Sequence, residues 1–219
     1  ADSYAPEEVT SFEVGFKGNI SPNTSMNAAL FRYDYSDFQV LQVVGIQTVT
    51  RNAGDATVNG LEIEALSALS DSMILNYGLT WLDATYGDFL NTNGLFPQLG
   101  DQQLEGNTLS NAPKISLNLG INYSTLLQSG SALTLRANAA YKSKVYFSEF
   151  NDFSQDKYTI VDLNVIWENA EETLKTRFFV KNATDEEYVS GYLSAATGGG
   201  RFGTWGRPRE VGFEVTRNF

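Results

Sequence analysis

Residues 209–219 (REVGFEVTRNF) divide in two when every second position is read. Val211, Phe213, Val215, Arg217 and Phe219 fall on one side, and Glu210, Gly212, Glu214, Thr216 and Asn218 on the other. Side chains of a strand alternate between faces, so the pattern predicts a strand with one mostly apolar and one polar face. The same division recurs along the chain. Segment 114–123 sets Ile115, Leu117, Leu119, Ile121 and Tyr123 against Lys114, Ser116, Asn118, Gly120 and Asn122. Segment 73–81 places Met73, Leu75, Tyr77, Leu79 and Trp81 together. Segments 133–142, 160–167 and 174–181 do likewise, with Leu135 and Tyr141, Val165 and Trp167, and Phe178 and Val180 on their apolar sides. Earlier, 11–17 groups Phe12, Val14 and Phe16, and 60–65 groups Leu61 and Ile63. Segment 26–40 is long and rich in β-formers, but its two faces are not cleanly separated. That makes nine predicted strands, several about ten residues long, and no segment with a helical period.

The connections carry a second pattern. Short ones lie near 19–24, 70–72, 125–130 and 168–173, and long ones near 44–56, 87–112, 148–156 and 184–207. Strict alternation of short and long is the signature of an up-and-down antiparallel meander with every tight turn at one end. Outer-membrane barrels have this form, with short periplasmic turns and long extracellular loops. A soluble sandwich has less reason to sort loops by length or to sustain such strands. The aromatics agree. With the short turns periplasmic, Tyr123, Trp167 and Phe219 end downward strands, and Trp81 and Tyr141 close the outer ends of upward ones. Amphipathic rings at those two levels form a membrane girdle.

Composition narrows the function. The chain has neither Cys nor His, which removes thiolate metal sites, most catalytic triads and most zinc sites. No catalytic constellation and no metal site is found, no cofactor is called for, and the expectation is a protein that is not an enzyme. A net charge of -11 argues against a nucleic-acid partner. Charge gathers on the polar face of the strands, at Glu13, Lys17, Glu62, Glu64, Arg136, Lys142, Asp162, Lys175, Arg177, Lys181, Glu210 and Glu214. On a soluble sheet this is a solvated outer face. In a wide barrel it lines the lumen, against water or a polar plug. The loop SGYLSAATGGGRFGTWGRP holds Gly198, Gly199 and Gly200, without the Lys and strand-to-helix setting of a phosphate loop. Its Tyr192, Arg201, Phe202, Trp205 and Arg207 suit an anionic or aromatic small-molecule ligand. Residues 87–107 lack the ordered spacing of a calcium loop and read as a long exposed connection.

Five segments, in order, resemble the C-terminal part of a TonB-dependent outer-membrane receptor. They are PEEVTSFEVGFKG (6–18), NAGDATVNGLEIEA (52–65) and GNTLSNAPKISLNLGINY (106–123), then VDLNVIW with FFVKNATDEEYV, and finally GRPREVGFEVTRNF. The fourth ends in an Asn-x-x-Asp-x-x-Tyr motif at Asn182, Asp185 and Tyr188. The resemblance implies a 22-stranded antiparallel barrel closed by an N-terminal plug. Residues 1–219 would then be its last nine strands, with the plug, the TonB box and the earlier strands absent. It also implies a bacterial outer-membrane active transporter that takes up a scarce ligand, a ferric siderophore above all, with energy from TonB. Its implied partners are outer-membrane lipid, the TonB system and the barrel-assembly machinery, which reads the terminal Phe219. A passive porin would share the girdle and lumen, and a soluble secreted sandwich or adhesin is the remaining alternative.

Overall fold

The computed structural model describes residues 4–44, 47–52, 54–195 and 200–219. In chain order the strands are β1 (Glu8–Ser21), β2 (Thr24–Ser36), β3 (Gln39–Val44), β4 (Gln47–Asn52), β5 (Ala56–Ser70), β6 (Met73–Tyr86), β7 (Leu90–Thr92), β8 (Asp101–Gln103), β9 (Ile115–Leu126), β10 (Ala132–Lys142), β11 (Val145–Tyr146), β12 (Ser154–Gln155), β13 (Tyr158–Glu168), β14 (Leu174–Lys181), β15 (Val189–Ala195), β16 (Gly200–Trp205) and β17 (Glu210–Arg217). Nine of them form one antiparallel sheet in the order β1-β2-β5-β6-β9-β10-β13-β14-β17, and the other eight form four two-stranded ribbons. Among the described residues β1 and β17 each pair with one neighbour only, so the sheet is open at both edges.

The nine strands of this wall are the nine read from the sequence, eight by alternation and β2 by its β-rich composition. Each pairs with its predecessor in the wall, as a meander requires. Two of the tight turns are built alike. Ser21 pairs with Thr24 and Ser70 with Met73, each after a register shift, and each preceding serine hydroxyl accepts a turn N–H at 3.3 Å. The turn before β14 is held by Asn169, whose Oδ1 accepts the Leu174 N–H at 2.7 Å.

The register carries the faces across the whole sheet. Val14, Leu30, Leu61, Trp81 and Ile115 form one apolar rung over five strands. Leu75, Ile121, Ala137, Leu163, Val180 and Val211 form another over six. These residues lie outside any protein core, since Val14 is 59 % exposed, Leu30 59 % and Val211 60 %. An apolar face of this extent on a folded sheet needs a non-aqueous partner. On β6 the apolar run from Met73 to Trp81 spans about 27 Å along the strand, or about 21 Å of height at the usual barrel tilt, near the band of an outer-membrane barrel.

Segment 26–40, whose faces the sequence left mixed, is resolved by pairing. Phe31, Tyr33 and Tyr35 share the charged face, while Arg32 and Asp34 sit on the otherwise apolar one, joined at 2.7 Å. Opposite Phe31 stands Gly60, where a Cβ would come within 2.1 Å of the phenyl ring. Phe179 covers Gly212 in the same way. Glycine in the wall makes room for a ring from the next strand, which restores the packing a glycine lacks.

Candidate functional site

All twelve charged residues expected on the polar face share one face by register. Glu62 reaches β1 through Ala29 and Gly15, and Glu64 reaches β10 through Gly78, Asn118 and Ala140. Hollows of about 620, 360 and 300 Å3 lie on that face, which marks it as the concave one. The largest is lined by Arg136, Asp162, Lys175, Arg177, Lys181 and Glu214, with polar neighbours. Here opposite charges meet across strands. Arg177 lies 3.5 Å from Glu214, and Lys181 3.8 Å from Glu210. The Arg177 Nε donates to Asn164 at 2.8 Å, and the Arg136 Nε donates to Asn122 at 3.1 Å. Arg177 and Lys181 also lie over the Phe179 ring, at 4.9 and 5.2 Å. These ion pairs are half exposed, so each contributes about 1 kcal/mol or less. They order the wall more than they stabilise it. The cations crowd β10 and β14, whereas β1 and β5 carry Glu13, Glu62 and Glu64 against Lys17 alone.

The five girdle candidates lie at two levels of the apolar face. Trp81 pairs with Leu61 and Ile115, and Tyr141 with Leu117 one rung nearer the turns. Toward the short turns Tyr123 pairs with Met73 and Leu135, and Trp167 with Leu133 and Thr176. Phe219 stands two residues beyond β17 and is fully exposed.

The loop end holds a surprise for residues 87–107. They are not a plain exposed connection. Phe89 is 3 % exposed and Leu104 2 %, and with Tyr86 they form a small core against which Phe38, Val40, Leu109 and Phe150 pack. Three of the long loops contribute to that cluster. Single-sequence reasoning misses it because the apolar residues involved are few, aperiodic and far apart in the chain.

The ligand candidates separate into two groups. Phe202 is 56 % exposed and Trp205 69 %, and among the described residues the Arg207 side chain makes only a 3.9 Å approach to Glu210. Tyr192 and Arg201 are already engaged. Tyr192 stacks on Phe153 with ring centroids 4.8 Å apart, and Phe147 lies 6.5 Å from it. Arg201 binds the Asp152 carboxylate through Nη2, donates to the Asp152 carbonyl at 3.1 Å and lies over the Phe96 ring at 5.3 Å. Gly198 and Gly199 lie outside the described residues.

The Asn-x-x-Asp-x-x-Tyr motif closes the base of the 182–209 loop. Asn182 is 3 % exposed; its Nδ2 donates to the carbonyls of Glu186 and Arg207, and its N–H donates to Asp162. Asp185 accepts the Arg209 N–H at 2.8 Å. Tyr188 stacks on Tyr158 at 4.6 Å and covers Gly206, where any Cβ would collide with its ring. Asn52 does a similar task at the 37–55 loop, donating to the carbonyls of Ala5 and Asp37.

The TonB dependent receptor-like β-barrel family matches residues 2–183. The chain belongs to this family. It is therefore part of an outer-membrane barrel, and the open wall with its apolar outer face is the expected form of such a part. Among curated relatives, a probable TonB-dependent siderophore receptor, PiuA, of Acinetobacter baumannii is 29 % identical over 84 % of this chain and 24 % of its own. The ferrichrome outer membrane transporter/phage receptor of Escherichia coli K12 is 30 % identical over 76 % of this chain and 20 % of its own. This chain thus spans about a quarter of the length of such TonB-dependent receptors. The crystal structure of the ferric yersiniabactin uptake receptor FyuA from Yersinia pestis shares the fold, with a TM-score of 0.81 at 19 % identity, over 99 % of this chain and 30 % of that one.

Proposed function

We propose that this chain forms part of an outer-membrane receptor that takes up a ferric siderophore with energy supplied through TonB. The observation that carries the reading is the family match over 2–183, supported by relatives named as siderophore receptors. In this reading the long loops receive the small-molecule ligand, with Phe202, Trp205 and Arg207 offering free surface and Tyr192 and Arg201 shaping the wall behind them. The concave face holds a polar plug through its charges, from Glu13, Lys17, Glu62 and Glu64 on one side to Arg136, Lys142, Asp162, Lys175, Arg177, Lys181, Glu210 and Glu214 on the other. Lipid covers the apolar face between the rings of Trp81 and Tyr141 and those of Tyr123, Trp167 and Phe219. The barrel-assembly machinery reads β17 and Phe219, so Phe219→Ala lowers the amount of folded receptor while leaving the affinity of assembled molecules near wild type.

The test is uptake of iron-labelled siderophores, ferrichrome among them, by iron-starved cells of the source bacterium with and without the gene encoding this chain, each in TonB-competent and TonB-deficient backgrounds. Uptake that needs both the gene and TonB is expected. Gene-dependent uptake that persists without TonB would overturn the reading in favour of a passive channel. A protein released from cells without detergent would remove the barrel assignment altogether.

A further inference from the structure

The loop carrying β11 and β12 lies between two others, and a single carboxylate in it touches both. Asp152 accepts from the Ser148 hydroxyl at 2.7 Å within its own loop and from the Asn93 Nδ2 at 3.0 Å in the β6–β9 loop. It also binds the Arg201 guanidinium from β16, in a pair whose side chains are only about one quarter exposed. Arg201 in turn lies over Phe96, which belongs to the same loop as Asn93. The contacts beside this hub are unequal. Between the β6–β9 and β10–β13 loops, Asn151 exchanges two 2.9 Å hydrogen bonds with the Thr108 backbone, Asn107 donates to the Glu149 carbonyl, and the Asn111 N–H donates to the Tyr146 carbonyl. Between the β10–β13 loop and the β15–β16 ribbon the contacts among the described residues are the Tyr192 ring stack and two hydrogen bonds, from the Val189 N–H to Gln155 and from the Arg201 Nη1 to the Asp152 carbonyl. Asn93 is 6 % exposed, and sites as enclosed as these rarely hold an isolated charge without a partner.

We propose that Asp152 is the hub that couples three long loops into one cap before any ligand arrives, and that Arg201 is a positioning residue serving this hub rather than a ligand contact. The proposal rests on the receptor reading for its purpose: a coupled cap presents a preformed mouth, so less of the binding energy goes into ordering it. The coupling itself is independent of what is transported. Removing the Asp152 carboxylate leaves Arg201 enclosed without its counter-charge and Asn93 without its acceptor, so both flanking loops must respond to a change in the loop between them.

The experiment is hydrogen–deuterium exchange on the detergent-purified full-length receptor without ligand, comparing Asp152→Ala, Arg201→Ala, the double variant and Glu105→Ala, an exposed acid of the same cap. Asp152→Ala is expected to speed exchange about 5- to 30-fold in both β7–β8 and β15–β16, the range that one or two kcal/mol of local stability sets. Arg201→Ala should act chiefly on β15–β16, the double variant should match Asp152→Ala, and Glu105→Ala should match wild type. The swapped pair Asp152→Arg with Arg201→Asp should recover part of the protection of β15–β16. Faster exchange confined to the β10–β13 loop in Asp152→Ala, or additive effects in the double variant, would overturn the proposal. Heat-modifiable migration of each variant reports that the barrel has folded. Should no siderophore be carried in the uptake test, the receptor reading fails while the exchange result still decides the coupling.

Discussion

Phe213 in the wall is 66 % exposed, and Leu104 at the loop end is 2 % exposed. Both are large apolar side chains, and the difference shows two ways of satisfying them within one chain. Among the described residues the apolar face of the wall buries no large side chain; Phe31 and Ile166, which are buried, lie on the charged face. Its strands have one layer, and the apolar face turns outward to whatever surrounds the barrel. The loop end meets water, so it must build a core of its own, and it does so from Tyr86, Phe89 and Leu104 with residues lent by neighbouring loops. Wall stability therefore resides in a continuous hydrogen-bonded ladder, whereas cap stability resides in a few specific contacts. Substitutions should separate the two regions sharply.

The largest effect is expected from Leu104→Ala, which removes a core side chain with little around it to collapse. It should cost the cap about 3 kcal/mol, read as faster exchange at β7–β8 with unchanged heat-modifiable migration of the barrel. Loss of the folded barrel would erase the distinction between the regions. Next comes Phe213→Asp, a charge on the apolar face, at about 2 kcal/mol. It should lower the amount of folded protein in the outer membrane and leave exchange in the cap unaltered. Equal membrane levels for variant and wild type would reverse the assignment of the faces.

A smaller effect concerns pH. Burial pushes the Glu149 carboxyl above its ordinary range, the nearby Asp152 charge adds to the rise, and the hydrogen bond from Asn91 opposes it. Because the folded cap holds this proton more tightly than the open loop does, the contribution is fully present below the ordinary carboxylate pKa and is lost as pH rises through the elevated value. Cap protection, corrected for intrinsic exchange rates, should therefore increase as pH falls from neutral toward the ordinary glutamate range. Glu149→Gln should flatten that part of the profile. The smallest effect belongs to Lys181→Ala on the concave face. Its half-exposed pair with Glu210 is worth about 0.5 kcal/mol, so denaturant midpoints should barely move.

The two regions also differed in how well the chain announced them. Alternation located eight of the nine wall strands, β-rich composition located β2, and every charged candidate falls on one side of the sheet. The faces are legible because a strand's period of two is local, and because the wall of an outer-membrane barrel asks of each outward residue only that it be apolar. Where that demand lapses, legibility lapses too. In β2 the outer end departs from the pattern, with Arg32 and Asp34 outward and Tyr33 and Tyr35 inward, and only pairing with β1 and β5 assigned the faces. The Asn182, Asp185 and Tyr188 motif was visible as a pattern, yet its task at the loop base depends on Arg207, Arg209 and Gly206, about two dozen residues further on.

The amino-acid sequence alone thus determined the class, the number of wall strands, the faces of all of them but β2, and the end of the molecule at which the long loops gather. The faces follow from a repeat readable within about ten residues, and the loop end from the alternation of short and long connections between those repeats. Tertiary structure alone decided that the loops form a cap, that residues 87–107 supply its core, and that Arg201 is engaged by Asp152 while Phe202 and Trp205 remain exposed. Those outcomes turn on partners as distant as Asn93 and Asp152, 59 residues apart, brought together because the wall delivers every long loop to the same rim. No local period encodes such a meeting.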